Sequence, residues 1–237
     1  MGAPEKLPAA AEVYRTALAA QPDASVVIVT VGDLTNVAEL LQLPAEGEKA
    51  SGLDLVKRKV RLWACMGGNF IGKPAKDDLK LGNNNFTVDK AGSLAAVRNW
   101  PTGVGGAGGT GQLMFVGREI GSVPSGLQIG KKFGALPADH PLRMAYELYF
   151  GGTAKDRHVA DPTTVLFAVR GPRDYWDAET KGYMDLKADM TFEWKYDQDK
   201  GQGYLLKKKV DGKPNDRAIE AALEALCMQP PKGKGGK

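Results

Sequence analysis

The run S-V-V-I-V-T-V, Ser25 to Val31, constrains the fold more than any other stretch, because it is apolar or β-branched at consecutive positions and stops at Gly32-Asp33 before a helix opens at Thr35. A strand with one wet face alternates apolar and polar residues, whereas a strand covered on both faces has no reason to alternate. The run therefore predicts a strand inside a parallel sheet. Parallel neighbours need crossover connections, usually helical, so the expected class is α/β.

The rest of the chain fits that expectation. Pro8 to Gln21 predicts a helix with Val13, Ala17 and Leu18 on one face, ended by Pro22-Asp23. A short helix from Thr35, a helical turn around Leu53 to Lys59 and a second strand, Val60 to Cys65, follow. Strand, helix and strand in that order make a right-handed parallel crossover. Ligands of such sheets sit outside the carboxyl ends of the strands, here Gly32 to Asn36 and Met66 to Phe70, and the two corners should be neighbours.

Met66 to Phe86 is a long Gly-, Asn- and Asp-rich stretch, a candidate functional loop because plain connectors are shorter. Beyond it we expect a helix from Val88 to Asn99, a strand Gln112 to Val116, a loop G-R-E-I-G, a helix Pro141 to Phe150 and a further helix at D-P-T-T-V-L-F-A-V-R-G, capped by Asp161 with Pro162 at its first position. Residues 181–210 alternate, which predicts a small antiparallel β-meander or hairpin, and a terminal helix runs from about Asn215 to Cys227. The expected organisation is one α/β domain over residues 1–228 and a disordered basic tail over 229–237.

Composition excludes several classes. With 237 residues and 43% hydrophobic content one sizeable core is expected, and the net charge of +4 is concentrated in Lys207 to Lys209 and the tail, which argues against nucleic acid as a partner. Cys65 and Cys227 are too few and too far apart for a disulfide framework or a zinc site. No run approaches the ~18 apolar residues of a membrane span, and Met1 leads into Gly-Ala-Pro-Glu-Lys, so the chain as given reads as cytoplasmic, or as exported if the true start lies upstream.

Gly103 to Gly108 satisfies G-x-G-x-x-G but follows Trp-Pro-Thr and leads into a strand, so the helix start that would hold a pyrophosphate is missing. Asp77-Asp78 and Asp197-x-Asp199 read as solvated charge. His140 reads as a surface residue before Pro141, while His158 lies in a loop at the expected ligand edge, where it is either solvated or a catalytic contact. Asp161 has two readings, helix cap and functional ligand.

Five stretches in order, V-G-D-L-T-N-V-A, M-G-G-N-F, N-N-N-F before the helix led by Asp89, W-P before a strand ending G-R-E-I-G, and D-P-T-T-V-L-F-A-V, resemble the inosine/uridine-preferring nucleoside hydrolases. The resemblance runs from about Val13 to Leu206 and corresponds to the C-terminal two-thirds of that family. It implies an open, mostly parallel Rossmann-like sheet, hydrolysis of the N-glycosidic bond of a ribonucleoside to ribose and base, and one Ca²⁺ at the carboxyl edge that holds the ribose and a water.

By the same resemblance Thr35 would offer calcium its main-chain carbonyl and Asp161 a carboxylate. Met66 would contact the ribose, Asn83 and Asn85 would stand at the two ends of a Glu-x-Asn ribose clamp, and Glu119 would occupy a motif position at the substrate site. Ala160 and not histidine precedes Asp161, so the leaving-base acid of some members is absent unless His158 reaches in. Departures accompany the match. Asn83 replaces the clamp's glutamate, Asp33 replaces a proline, and the family's Asp-rich D-x-D-x-x-x-D-D loop has no counterpart before Ala10, which leaves the calcium set short of oxygens and the water without its base. The expected function is a nucleoside hydrolase-like protein; the alternative is a non-catalytic nucleoside- or ribose-binding relative, a homo-oligomer or a subunit completed by an N-terminal partner chain.

Overall fold

The computed structural model describes residues 7–70, 84–102, 111–122 and 126–229. Its centre is a five-stranded sheet built from β1 (Val26–Thr30), β2 (Val60–Met66), β3 (Gln112–Val116), β6 (Trp176–Glu179) and β9 (Gln202–Lys207), in the order β1-β2-β3-β9-β6. The pairs β1 with β2, β2 with β3 and β3 with β9 are parallel, and only β6 runs antiparallel, against β9. The α/β class and the mostly parallel sheet thus follow the expectation.

Alternation along the strands divides the core between the two faces of the sheet. Ile28, Trp63, Cys65, Leu113 and Phe115 point to one face, where they meet α2 (Thr35–Gln42), α3 (Gly52–Lys59), α5 (Lys90–Asn99) and the hairpin of β7 (Tyr183–Leu186) and β8 (Phe192–Lys195). Leu62, Ala64, Met114 and Val116 point to the other, under α8 (Ala160–Arg170) and α9 (Asp216–Cys227). Each fully buried large apolar side chain contributes roughly 1.5–3 kcal/mol, so both faces are needed to offset the chain entropy of ordering.

Helix α1 (Ala10–Ala19) buries Ala11, Arg15 and Leu18, while Val13 and Ala17 face solvent, so the expected face is corrected by a rotation of the stripe. Arg15 can be buried because its guanidinium pairs with Glu12 at 2.8 Å, leaving the aliphatic stem to pack. At α3 the hydroxyl of Ser51 accepts from the N–H of Asp54 at 3.1 Å and donates to its carboxylate at 2.6 Å. Ser51→Ala should cost about 1 kcal/mol, read as a lower urea midpoint with an unchanged slope.

Two further expectations change. G-R-E-I-G is not a loop: Arg118–Gly121 form one buried helical turn, α6. Helix α8 starts at Ala160 with Val159 at its N-cap and no side-chain cap, so Asp161 lies inside the first turn and does not cap it. By contrast α7 (Pro141–Phe150) has its expected bounds, with the ring of His140 accepting from Leu142 N–H at 3.3 Å; His140 is therefore a cap and not merely a surface residue. In residues 181–210 the antiparallel hairpin is β7 with β8, and the third alternating segment, β9, leaves it for the central sheet. The glycine tract, Asp77-Asp78 and the tail from residue 230 lie outside the described residues. No described helix is long and apolar enough to cross a membrane.

Candidate functional site

The first three strands run parallel, so the turns after β1, β2 and β3 all emerge at one edge. In the first turn Val31, Gly32 and Asp33 are exposed while Leu34 is fully buried, which anchors the corner from below. A carboxylate oxygen of Asp33 accepts from Thr35 N–H at 3.2 Å, the local bond that lets an Asp start a helix from a turn. The hydroxyl of Thr35 donates to Asp89 at 2.6 Å. Asp89 also caps α5, accepting from Gly92 N–H at 2.9 Å, and these two donors, the Thr35 hydroxyl first, hold its carboxyl below the usual carboxylate range.

The second turn is tied to the same group of residues. Asn85, in the short helix α4 (Asn84–Thr87), donates its side-chain N–H to the carbonyl of Met66 at 3.0 Å and lies 3.1 Å from the Met66 sulfur. Gly67 lies against Phe86 so closely that a Cβ on it would come within 2.5 Å of the ring. Gly68, at φ +85°, then turns the backbone in a way open to glycine, and its carbonyl accepts from Arg118 N–H at 2.9 Å.

That last bond brings in the third turn, where Glu119 is buried to 5% exposure and neither carboxylate oxygen has a hydrogen-bond partner. Burial pushes its pKa up to about 7. Its own N–H, the N–H of Phe70 and then the charges of Arg118 and Lys207 oppose that rise; the two amides face the carboxyl without reaching hydrogen-bond geometry. Gly117 leaves room for the carboxylate, because a Cβ there would come within 2.3 Å of both its oxygens and displace it.

Of the expected site residues, Thr35, Met66 and Glu119 therefore lie at the three turns of one edge, and Asn85 joins them from α4 through its bond to Met66. Asn83 lies outside the described residues. His158 pairs with Gln128 in a small antiparallel ladder of β4 (Gln128–Ile129) and β5 (Arg157–His158), with its Nε2 3.4 Å from the Gln128 amide nitrogen and its Nδ1 buried without a partner. Asp161 follows directly, and the N-terminus of α8 is tied to α6 by a bond from Val159 N–H to the Gly121 carbonyl at 2.9 Å. Desolvation raises the Asp161 pKa, against the opposing charge of Arg157.

A calcium ion takes six to eight oxygens. The Thr35 carbonyl and the Asp161 carboxylate would offer three at most, the Thr35 hydroxyl is already committed to Asp89, and the described residues contain no group of three or more His, Cys, Asp or Glu side chains arranged for a metal. The described donor set does not fit the ion. Asp89 is the site residue that the sequence did not single out as one. The D-x-x-G spacing marks it as a helix cap, but its bond to a hydroxyl 54 positions earlier has no local signature. No protein-family model and no curated protein compared with the chain matches it.

Proposed function

We propose that the carboxyl edge formed by the turns after β1, β2 and β3 binds a ribonucleoside through its ribose. The observation that carries this reading is Glu119, a buried carboxylate without a hydrogen-bond partner at a strand end where two neighbouring turns converge. Buried acceptors are rarely left unpaired, and paired sugar hydroxyls supply the donors that a carboxylate takes up in charge-assisted bonds. Asn85, fixed in orientation by the Met66 carbonyl, contributes a second polar group from the adjacent turn. The resemblance to the nucleoside hydrolases supports ribose as the sugar and a nucleoside as the whole ligand.

Hydrolysis of the N-glycosidic bond is the second reading, and one feature favours it: a carboxyl with a pKa of about 7 is suited to take a proton from water near neutral pH. No step is routed through calcium, because the described donors do not fit it. In this reading Glu119 both holds the sugar and serves as base.

Titration calorimetry with inosine and with uridine tests the first reading, and ribose release from the same compounds, with added calcium and then with chelator, tests the second. Asn85→Ala should weaken nucleoside binding about tenfold while leaving the melting temperature within a degree or two. Absence of any binding heat for either nucleoside would remove the ribose reading. Binding without ribose release would leave a recognition protein and discard hydrolysis.

A further inference from the structure

Strand β1 ends the central sheet, and among the described residues no strand pairs with its outer edge. Natural edges are blunted by charge, proline or a bulge, because an edge strand presents a row of unpaired N–H and C=O groups. Val26–Thr30 contains no charged residue and no proline, and its one irregularity is a register shift at the amino end, between Val26 and Val27. Ile28 and Thr30 are buried on one side of the strand, but Val27 and Val29 on the other are only half covered, and Val31 is 37% exposed. Parallel sheets are covered on both faces, so this edge is under-covered for its class.

Charge selects the occupant. At the amino end of β1, Arg58 and Lys59 lie 3.6 Å and 2.7 Å from Asp23, which leaves one positive charge in excess, and Arg58 remains 55% exposed. At the carboxyl end the exposed charge is Asp33. A two-fold axis through the middle of the strand, at Ile28, sets each end against the opposite end of a second copy, so the group of Asp23, Arg58 and Lys59, with its excess positive charge, meets Asp33 twice. We propose that two copies of this chain join through their β1 edges in antiparallel pairing, forming a continuous ten-stranded sheet. Such an interface is isologous: the same patch serves both partners, and the valines of each copy cover those of the other. The pairing does not require nucleoside binding, although Asp33 also belongs to the first turn of that edge.

Sedimentation velocity on the full chain over a concentration series tests the proposal. Wild type should move as a dimer. Val29→Lys should move as a monomer with unchanged far-UV circular dichroism. The charge pair gives a test that leaves the strand intact: Asp33→Arg alone and Arg58→Asp alone should each weaken the dimer about tenfold, as expected for two symmetry-related exposed ion pairs, and the double swap should restore it. A monomer at every concentration overturns the proposal. So does a dimer that survives Val29→Lys in folded form, or a double swap no tighter than the single ones.

Discussion

Glu119→Gln is expected to stabilise the protein by about 2.5 kcal/mol more at pH 8 than at pH 5. The carboxyl has an ordinary pKa of 4.5 in the unfolded chain and about 7 when folded, with burial as the main cause. Between those values the folded state binds the extra proton, so the slope of stability with pH is negative. The contribution of Glu119 is fully present below pH 4.5 and is lost as the pH rises through 7. Glutamine keeps the shape and never ionises, so it is spared that loss. Urea titrations of both proteins at half-unit steps give the difference directly, and parallel stability curves would show that the carboxyl is not held uncharged.

Trp63→Ala should be the most damaging single core change, at about 3–5 kcal/mol. The indole is fully buried at the centre of β2, its ring centroid lies 4.6 Å from that of Trp100, and its N–H donates to the Thr30 hydroxyl of β1 at 2.9 Å. Removing it opens a cavity and also releases the tie that sets the height of β1 against β2, hence the position of the Thr35 corner. Trp63→Phe separates the two effects: most of the ring volume remains and only the hydrogen bond is lost, at about 1 kcal/mol. Denaturant midpoints that place the two variants within 1 kcal/mol of each other would show that the cavity is filled by rearrangement.

The parallel part of the sheet was legible because its strands are read from one-dimensional patterns. Leu62 to Cys65 and Leu113 to Val116 are apolar without alternation, and Pro141 to Phe150 carries its start in proline and its stop in Gly151, which takes up φ +74°. The corner residues Thr35 and Met66 were legible for the same reason, since strand ends fix where the turns emerge, whereas Asn85 was picked out only by the resemblance. What escaped depends on partners distant in sequence. The alternation of Gln202 to Lys207 says that one side is wet or differently packed, not which strand lies beside it, so β9 read as part of a meander. The burial of Glu119 was hidden because charged residues beside a glycine read as a loop. The stripe of α1 rotated because an arginine took a core position, which becomes acceptable only once Glu12 is seen within 2.8 Å of its guanidinium.

The place of β9 between β3 and β6 has a consequence for how the chain comes to be assembled. Leu113 to Phe115 pair with residues that lie nearly ninety positions later, so that seam cannot close during synthesis until residue 207 has left the ribosome. Until then the outer side of β3 stands open, flanked by Leu113 and Phe115, and β6 has no neighbour to hold it. A nascent polypeptide of this kind waits for β9, which lies close to its end, and over that interval the flank of β3 is a surface for chaperones to protect.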